Sequence, residues 1–164
     1  MPTFIHRVFP LLVLLLFSAC SATGKEPVLT DDSPSRAVPV RVLVTDIRND
    51  TGEIMLSVFT ESQGFPCGSQ YASYLTKKAA RQGRMEFELQ LESGRQYALA
   101  ILHDENANQQ LELEMMLIPK EGFAVSNNST GLASQSFNRA IFSLDGPRTV
   151  EMKMQYYQIG RAHV

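Results

Sequence analysis

Asp104, Asn106 and Asn108 set oxygen-bearing side chains on alternate residues of the stretch ILHDENANQQLELE, directly after an apolar run and His103. Calcium is held by this kind of pattern, because one curved backbone can turn alternate oxygens onto a single hard cation. An EF-hand-type loop also needs a glycine at its sixth position and a bidentate acid at its twelfth. Those positions are Gln109 and Met115 here, while Glu112 falls on the ninth. The metal reading is therefore a low-affinity calcium site of Asp104, Asn106, Asn108 and Glu112, with no other cofactor expected. The missing determinants favour a turn instead, in which the Asp and Asn side chains accept hydrogen bonds from nearby backbone amides.

His103 is the remaining chemical signal of this stretch. The other two histidines, His6 and His163, lie in an N-terminal export segment and in an anomalous C-terminal tail. Zinc sites built on two or three histidines are thereby excluded. His103 shares strand parity with Tyr97, Leu99 and Ile101, which predicts a hydrogen-bonded residue at a strand end beneath the loop. Catalysis would need a nucleophile, a base and a group to stabilise developing charge. Cys67, Ser126, Glu105 and Glu121 could serve with His103 as base. Nucleophile elbow, HExxH, phosphate-binding glycine loop and dinucleotide fingerprint are all missing from the sequence. No catalytic residue is assigned and no enzyme is expected; a hydrolase using His103 with Asp104 or Glu121 is the alternative.

A second polar stretch, IPKEGFAVSNN from Ile118 to Asn128, brackets Lys120 and Glu121 between Pro119 and Gly122 and ends on Ser126, Asn127 and Asn128. Its amides and hydroxyl can donate or accept. We expect it to meet the first stretch at one end of the fold. The shared polar surface would comprise His103, Asp104, Glu105 and Asn106 with Lys120, Glu121, Ser126, Asn127 and Asn128. The competing reading is a buttress, with His103 or Asp104 bonded to the Ser-Asn-Asn backbone and Lys120 paired with an acid. Met115, Met116, Met152 and Met154 could suggest Cu(I) capture; their strand spacing makes core packing the expectation.

The elements that must position these residues are strands. Val40 to Ile47 is rich in β-branched residues, and after Asn49-Asp50-Thr51-Gly52 the β character resumes from Ile54 to Phe59, which predicts a hairpin. Met85, Phe87, Leu89 and Leu91 alternate with Glu86, Glu88 and Gln90, a strand with one face in water. Ser93-Gly94 turns it into Tyr97 to Leu102. Val150, Met152, Met154 and Tyr156 repeat the alternation, and Phe123 to Ser126 and Ala140 to Leu144 are shorter strand candidates. Gln70 to Arg81, ending at Gly83, places Tyr71, Tyr74 and Leu75 on one side and predicts the one short helix. Six or seven short strands separated by turn signals indicate an all-β, antiparallel β-sandwich.

The N-terminus carries an address. MPTFIHRVFPLLVLLLFSAC has one fixed positive charge, Arg7, then an apolar stretch from Leu11 to Phe17 and small residues before Cys20. That is a signal peptide over 1–19, too short for a lasting membrane span of about 20 apolar residues. Phe17-Ser18-Ala19-Cys20 resembles the lipobox of bacterial lipoproteins, with phenylalanine where leucine is usual. This implies a lipidated Cys20 as the new N-terminus, and Ser21 after it implies the periplasmic face of the outer membrane. Ordinary cleavage near Ala22 is the alternative and would leave a soluble periplasmic or secreted protein. Loss of Arg7 from a chain of 15 basic and 17 acidic residues leaves a net charge of −3, which speaks against a nucleic-acid partner. Residues 20–38 read as a flexible tether, 39–157 as one domain, and 158–164 (IGRAHV after Gln158) as a non-native tail, since one frame of a sequencing adapter would encode it.

YALAILHDENANQQLE, IPKEGFAVSNN and SFNRAIF, in that order, resemble an exported bacterial family known as domain of unknown function 2141, over roughly Val40 to Tyr157. The resemblance implies a transthyretin-like or immunoglobulin-like sandwich in a periplasmic or surface setting and brings no established activity. The chain departs from the family pattern at Ala107, Gln109, Leu117 and Ala124, where glycines are usual, and at Glu112 and Gln135. The resulting expectation is a lipid-anchored, non-enzymatic module whose two polar loops bind an envelope protein or a small polar ligand. The hydrolase and a purely structural envelope lipoprotein are its alternatives.

Overall fold

The computed structural model describes residues 36–108, 113–114, 118–129 and 136–157. The signal segment, Cys20 and most of the tether, Gln109 to Glu112, Met115, Met116 and the tail fall outside them. Ten strands are described: β1 (Ala37–Ile47), β2 (Glu53–Phe59), β3 (Tyr74–Ala79), β4 (Gly83–Glu92), β5 (Arg95–Asp104), β6 (Leu113–Glu114), β7 (Ile118–Pro119), β8 (Gly122–Val125), β9 (Phe142–Leu144) and β10 (Arg148–Lys153). Seven of them are four residues or longer, in keeping with the expected all-β sandwich. One helical turn, α1 (Phe137–Ala140), joins them, with short 3-10 turns at Ser69–Tyr71 and Ser126–Asn128.

Two sheets form the layers. One has the order β10-β1-β4, the other β3-β2-β5-β8, with β9 pairing to the start of β5. β1 is buried at alternate positions: Val40, Val42 and Val44 face inward, as do Phe87 and Leu89 of β4 and Met152 of β10. Ile54, Leu56, Val58, Leu99 and Ile101 meet them from the second sheet. Alternation is what a sheet with one wet face dictates.

β2 and β5 instead read as nearly continuous apolar runs, and both of their faces are covered. On the outer face, Phe59, Ala98, Ala100 and Val125 form a second cluster with Ala140, Phe65, Ala72 and Phe137. The Phe65 ring stands edge-on to Phe59 at 5.2 Å and to Phe137 at 5.7 Å, so the 60–73 connection and α1 form a lid on this sheet. Full burial of a side chain such as Phe59 contributes about 1.5–3 kcal/mol.

Three expectations are corrected. The segment predicted as a helix over 70–81 is a 3-10 turn followed by β3, paired antiparallel with β2 from Glu53↔Ala79 to Val58↔Tyr74. The side that the helix would have buried, Tyr71, Tyr74 and Leu75, is the set of exposed large apolar residues among the described residues. With no surface to bury that stripe, hydrogen bonds to the open edge of β2 decide the conformation. The predicted β1–β2 hairpin is also absent, because both edges of β1 are taken: β4 runs antiparallel on one side and β10 parallel on the other. Asn49 to Gly52 therefore carries the chain from one sheet to the other. That parallel β1–β10 pair is the third difference from a wholly antiparallel arrangement.

The flank between β8 and β10 is closed. Phe123 and Gln155 exchange backbone hydrogen bonds at 3.0 and 2.8 Å. The Asn128 side chain donates to the Glu151 carbonyl at 2.9 Å and accepts from the Lys153 amide at 2.8 Å, as a strand backbone would.

Candidate functional site: the polar rim around His103

The rim is the end of the sandwich where β1 and β5 finish and β2 and β8 begin. His103 pairs with Gly122 on one side and with Ile54 on the other. Its side chain is fully buried. Nε2 lies 2.8 Å from the Thr51 carbonyl, which can only accept, so Nε2 carries a proton and donates. Nδ1 lies 2.8 Å from the Tyr156 hydroxyl. That hydroxyl oxygen already accepts the Arg48 backbone N–H at 3.1 Å, which leaves its own proton to be donated to Nδ1. The imidazole thus ties the 49–52 turn and the segment that follows β10 to β5.

Two glycines make the approach feasible. A Cβ on Gly122 would sit 2.1 Å from the Tyr156 ring, and one on Gly52 would sit 2.0 Å from the Asp104 carbonyl oxygen. Gly52 also has a left-handed φ of 73°, which a side chain would strain. A bulge at Asp46, with φ of 61°, breaks the β1–β4 register just before the rim and turns the chain toward the crossing.

Above the imidazole lies an ionic layer. The Arg48 guanidinium donates twice to the Glu105 carboxylate, with the Nε bond at 2.8 Å, and rests 4.6 Å from the Tyr156 ring centre. The Asn49 amide adds a 2.6 Å bond to the same carboxylate. These hydrogen bonds, those of Arg48 first, hold Glu105 below the ordinary glutamate pKa, and Glu105 in turn raises Arg48. Burial pushes the Tyr156 phenol up, against the pull of the Arg48 backbone N–H. The Glu105 amide donates to Glu121 at 3.2 Å, joining the IPKEG segment to this layer. Glu121 and Asp104 are both buried.

In the loop that follows, Asp104 Oδ1 and Asn106 Oδ1 both accept the Asn108 amide, at 3.1 and 3.0 Å. That is the turn chemistry expected of these residues. Among the described residues no group of three or more His, Cys, Asp or Glu side chains is arranged to hold a metal, and Glu112 lies outside them. Ala107, where the family resemblance implies glycine, adopts φ of 58°.

Of the predicted surface, His103, Asp104, Glu105 and Glu121 come together, with Asn106 and Lys120 next to them along the chain. Ser126, Asn127 and Asn128 do not, which corrects the expectation of one shared rim. β5 and β8 run antiparallel, so each step along β8 moves away from Asp104, and Ser126 bonds at Leu99, about 14 Å down the strand from His103. There its hydroxyl accepts the Leu99 N–H at 2.9 Å and donates to the Ala140 carbonyl at 2.6 Å. Asn127, at φ of 62°, donates to the Arg139 and Ile141 carbonyls at 2.9 and 3.1 Å. The block is a clamp on α1, β5 and β10, and it does not buttress the turn at Asp104 either.

Sequence reasoning missed Arg48, Thr51 and Tyr156 as rim residues. The Asn-Asp-Thr-Gly turn signal could have pointed to Thr51. Tyr156 was visible only as the last member of an alternating strand, and nothing local marks Arg48. Cys67 is a free thiol on an exposed residue, with its pKa pushed up by burial of the sulfur. Met152 and Met154 are core residues as expected.

No curated protein and no solved structure matches the chain. Residues 42–152, which run from β1 into β10 and include the Ser-Asn-Asn clamp and the rim residues other than Tyr156, match the family described as uncharacterized protein conserved in bacteria (DUF2141), and the chain belongs to that family.

Proposed function

We propose that this protein is an exported, non-enzymatic β-sandwich module, anchored through lipid on Cys20 to the periplasmic face of the outer membrane. It presents its polar rim to an envelope protein or a small polar ligand. The observation that carries the reading is the engagement of the groups nearest to catalysis: both His103 ring nitrogens are bonded, and the Glu105 carboxylate is held by Arg48 and Asn49. These bonds tie the 49–52 turn, Glu105 and Tyr156 to one another beside exposed polar residues, among them Asp50, Thr51, Asn106 and Lys120. Loops fixed on a scaffold lose little freedom on binding, which is how a recognition surface is built. The Ser-Asn-Asn block is left out of the binding set. A weak calcium site on the Asp104 loop belongs to the same reading.

The test is made on the full chain. Metabolic labelling with a fatty acid should mark the wild type and not Cys20→Ser; labelling of neither would refute the anchor. Melting with calcium, with zinc and with a chelator reports ion binding, since a ligand at a hundredfold excess over its Kd stabilises by about 2.7 kcal/mol. Equal melting in all three removes the ion. Hydrolysis of ester or amide substrates that is lost in His103→Gln, with the fold retained, would establish the hydrolase instead.

A further inference from the structure

The flank opposite to β8 and β10 is open. β3 and β4 end their sheets with one strand neighbour each, and they face each other across a groove. Its walls are Tyr74, Thr76 and Lys78 on one side and residues of β4 on the other. The two edges are not equally available. The Lys78 ammonium spans the groove, donating to the Glu86 carbonyl at 2.8 Å and lying 4.9 Å from the Phe87 ring centre, so the middle of the β4 edge is capped. β3 is not capped in this way, and five of its six residues are exposed.

The groove carries its basic groups in one half and its apolar side chains in the other. Lys78, Arg81 and Arg84 line its upper part, where the acid present, Glu86, is committed to Arg41. Elsewhere Arg48, Lys77, Arg95 and Lys153 each have a carboxylate partner. Arg81 and Arg84 form no ion pair among the described residues and are exposed. The lower part is lined by Tyr74, Leu89 and Leu91 together with Gln90 and the exposed Glu88, whose charge would set an acidic side chain away from that position. Lysines on an edge strand ordinarily keep edges apart, but here Arg84 and Lys78 act on the Glu86 carboxylate only through space while Arg41 holds it by hydrogen bonds, which leaves an excess of positive charge beside the edge of β3.

We infer that this groove takes an extended acidic polypeptide segment, which adds as a strand to the free edge of β3. Its acids meet Lys78, Arg81 and Arg84, and its apolar side chains lie along Tyr74 and Leu91. Backbone pairing supplies the affinity and the alternate side chains supply the selectivity. The site shares no residue with the proposed rim surface, so each stands or falls alone.

The experiment uses the full-length chain and a fluorescent ten-residue peptide of alternating glutamate and leucine. Binding by anisotropy should weaken with salt, slow amide exchange over 74–79, and fall about tenfold or more in Arg81→Glu/Arg84→Glu. The same peptide with lysine for glutamate should not bind. Melting verifies that the double variant folds, and Arg81→Gln/Arg84→Gln replaces it if it does not. Absence of binding, equal binding by the variant, or binding that leaves residues 74–79 unprotected would overturn the inference. So would arginine-dependent binding to phosphatidylglycerol vesicles with none to the peptide, which would assign the cations to a lipid surface.

Discussion

Tyr156 is where the rim network converges. Its hydroxyl joins Arg48 to His103, its ring lies against Gly122, and the Arg48 guanidinium rests over it. Tyr156→Phe keeps the ring and removes the hydroxyl, leaving one buried acceptor and one backbone donor unsatisfied. The expected loss is about 1–3 kcal/mol, read as a lower urea midpoint at unchanged slope. Glu105 supplies the pH dependence. Its folded pKa lies below the ordinary 4.5 because of Arg48, so over the interval between the two values the unfolded chain binds more protons. The stabilisation is therefore full above the unfolded value and is lost as pH falls through the folded one. Glu105→Gln should lower stability at pH 7 and flatten the acid limb of the urea midpoint against pH. An acid limb as steep as in the wild type would show that Glu105 does not carry it. None of this pairing was legible locally: Arg48 and Glu105 are separated by 57 positions, and no spacing rule connects them.

At the scale of elements, the strands with period-two patterns were legible and their neighbours were not. Met85 to Leu91 announces its wet and dry faces because burial on one side demands alternation. Which strand lies beside it depends on connections whose turn residues look alike. Asn-Asp-Thr-Gly is chemically a hairpin turn, yet it serves as a bridge between sheets. The helix reading of 70–81 failed for the same reason, since propensity yields to an available strand edge. Ser126 shows an element boundary held by one side chain: its hydroxyl takes up the Leu99 N–H where β8 has stopped pairing with β5. Ser126→Ala should cost about 1–3 kcal/mol, with faster amide exchange at Leu99 and in α1. Exchange confined to the rim would contradict the clamp.

For the whole molecule, burial is centred on β5, paired with β2, β8 and β9 and covered on both faces. Amides of Leu99 to Ile101 should exchange only through global unfolding, and those of β3, at an open flank, through local opening of lower free energy. Native-state exchange at rising denaturant measures this, and equal protection of β3 and β5 would refute the open flank. The amino-acid sequence by itself determined the all-β class, the inward residues of β4 and β10 and the turn chemistry of Asp104 to Asn108, because each follows from period, propensity or side-chain bonds within a few residues. Only the tertiary structure decided that β1 takes a parallel neighbour, that Tyr156 and Thr51 hold His103, that Ser126 to Asn128 are a clamp, and that the edge of β3 faces a β4 edge capped by Lys78. Those depend on hydrogen-bond partners and surfaces far apart along the chain, which satisfy one another only once both sheets are packed.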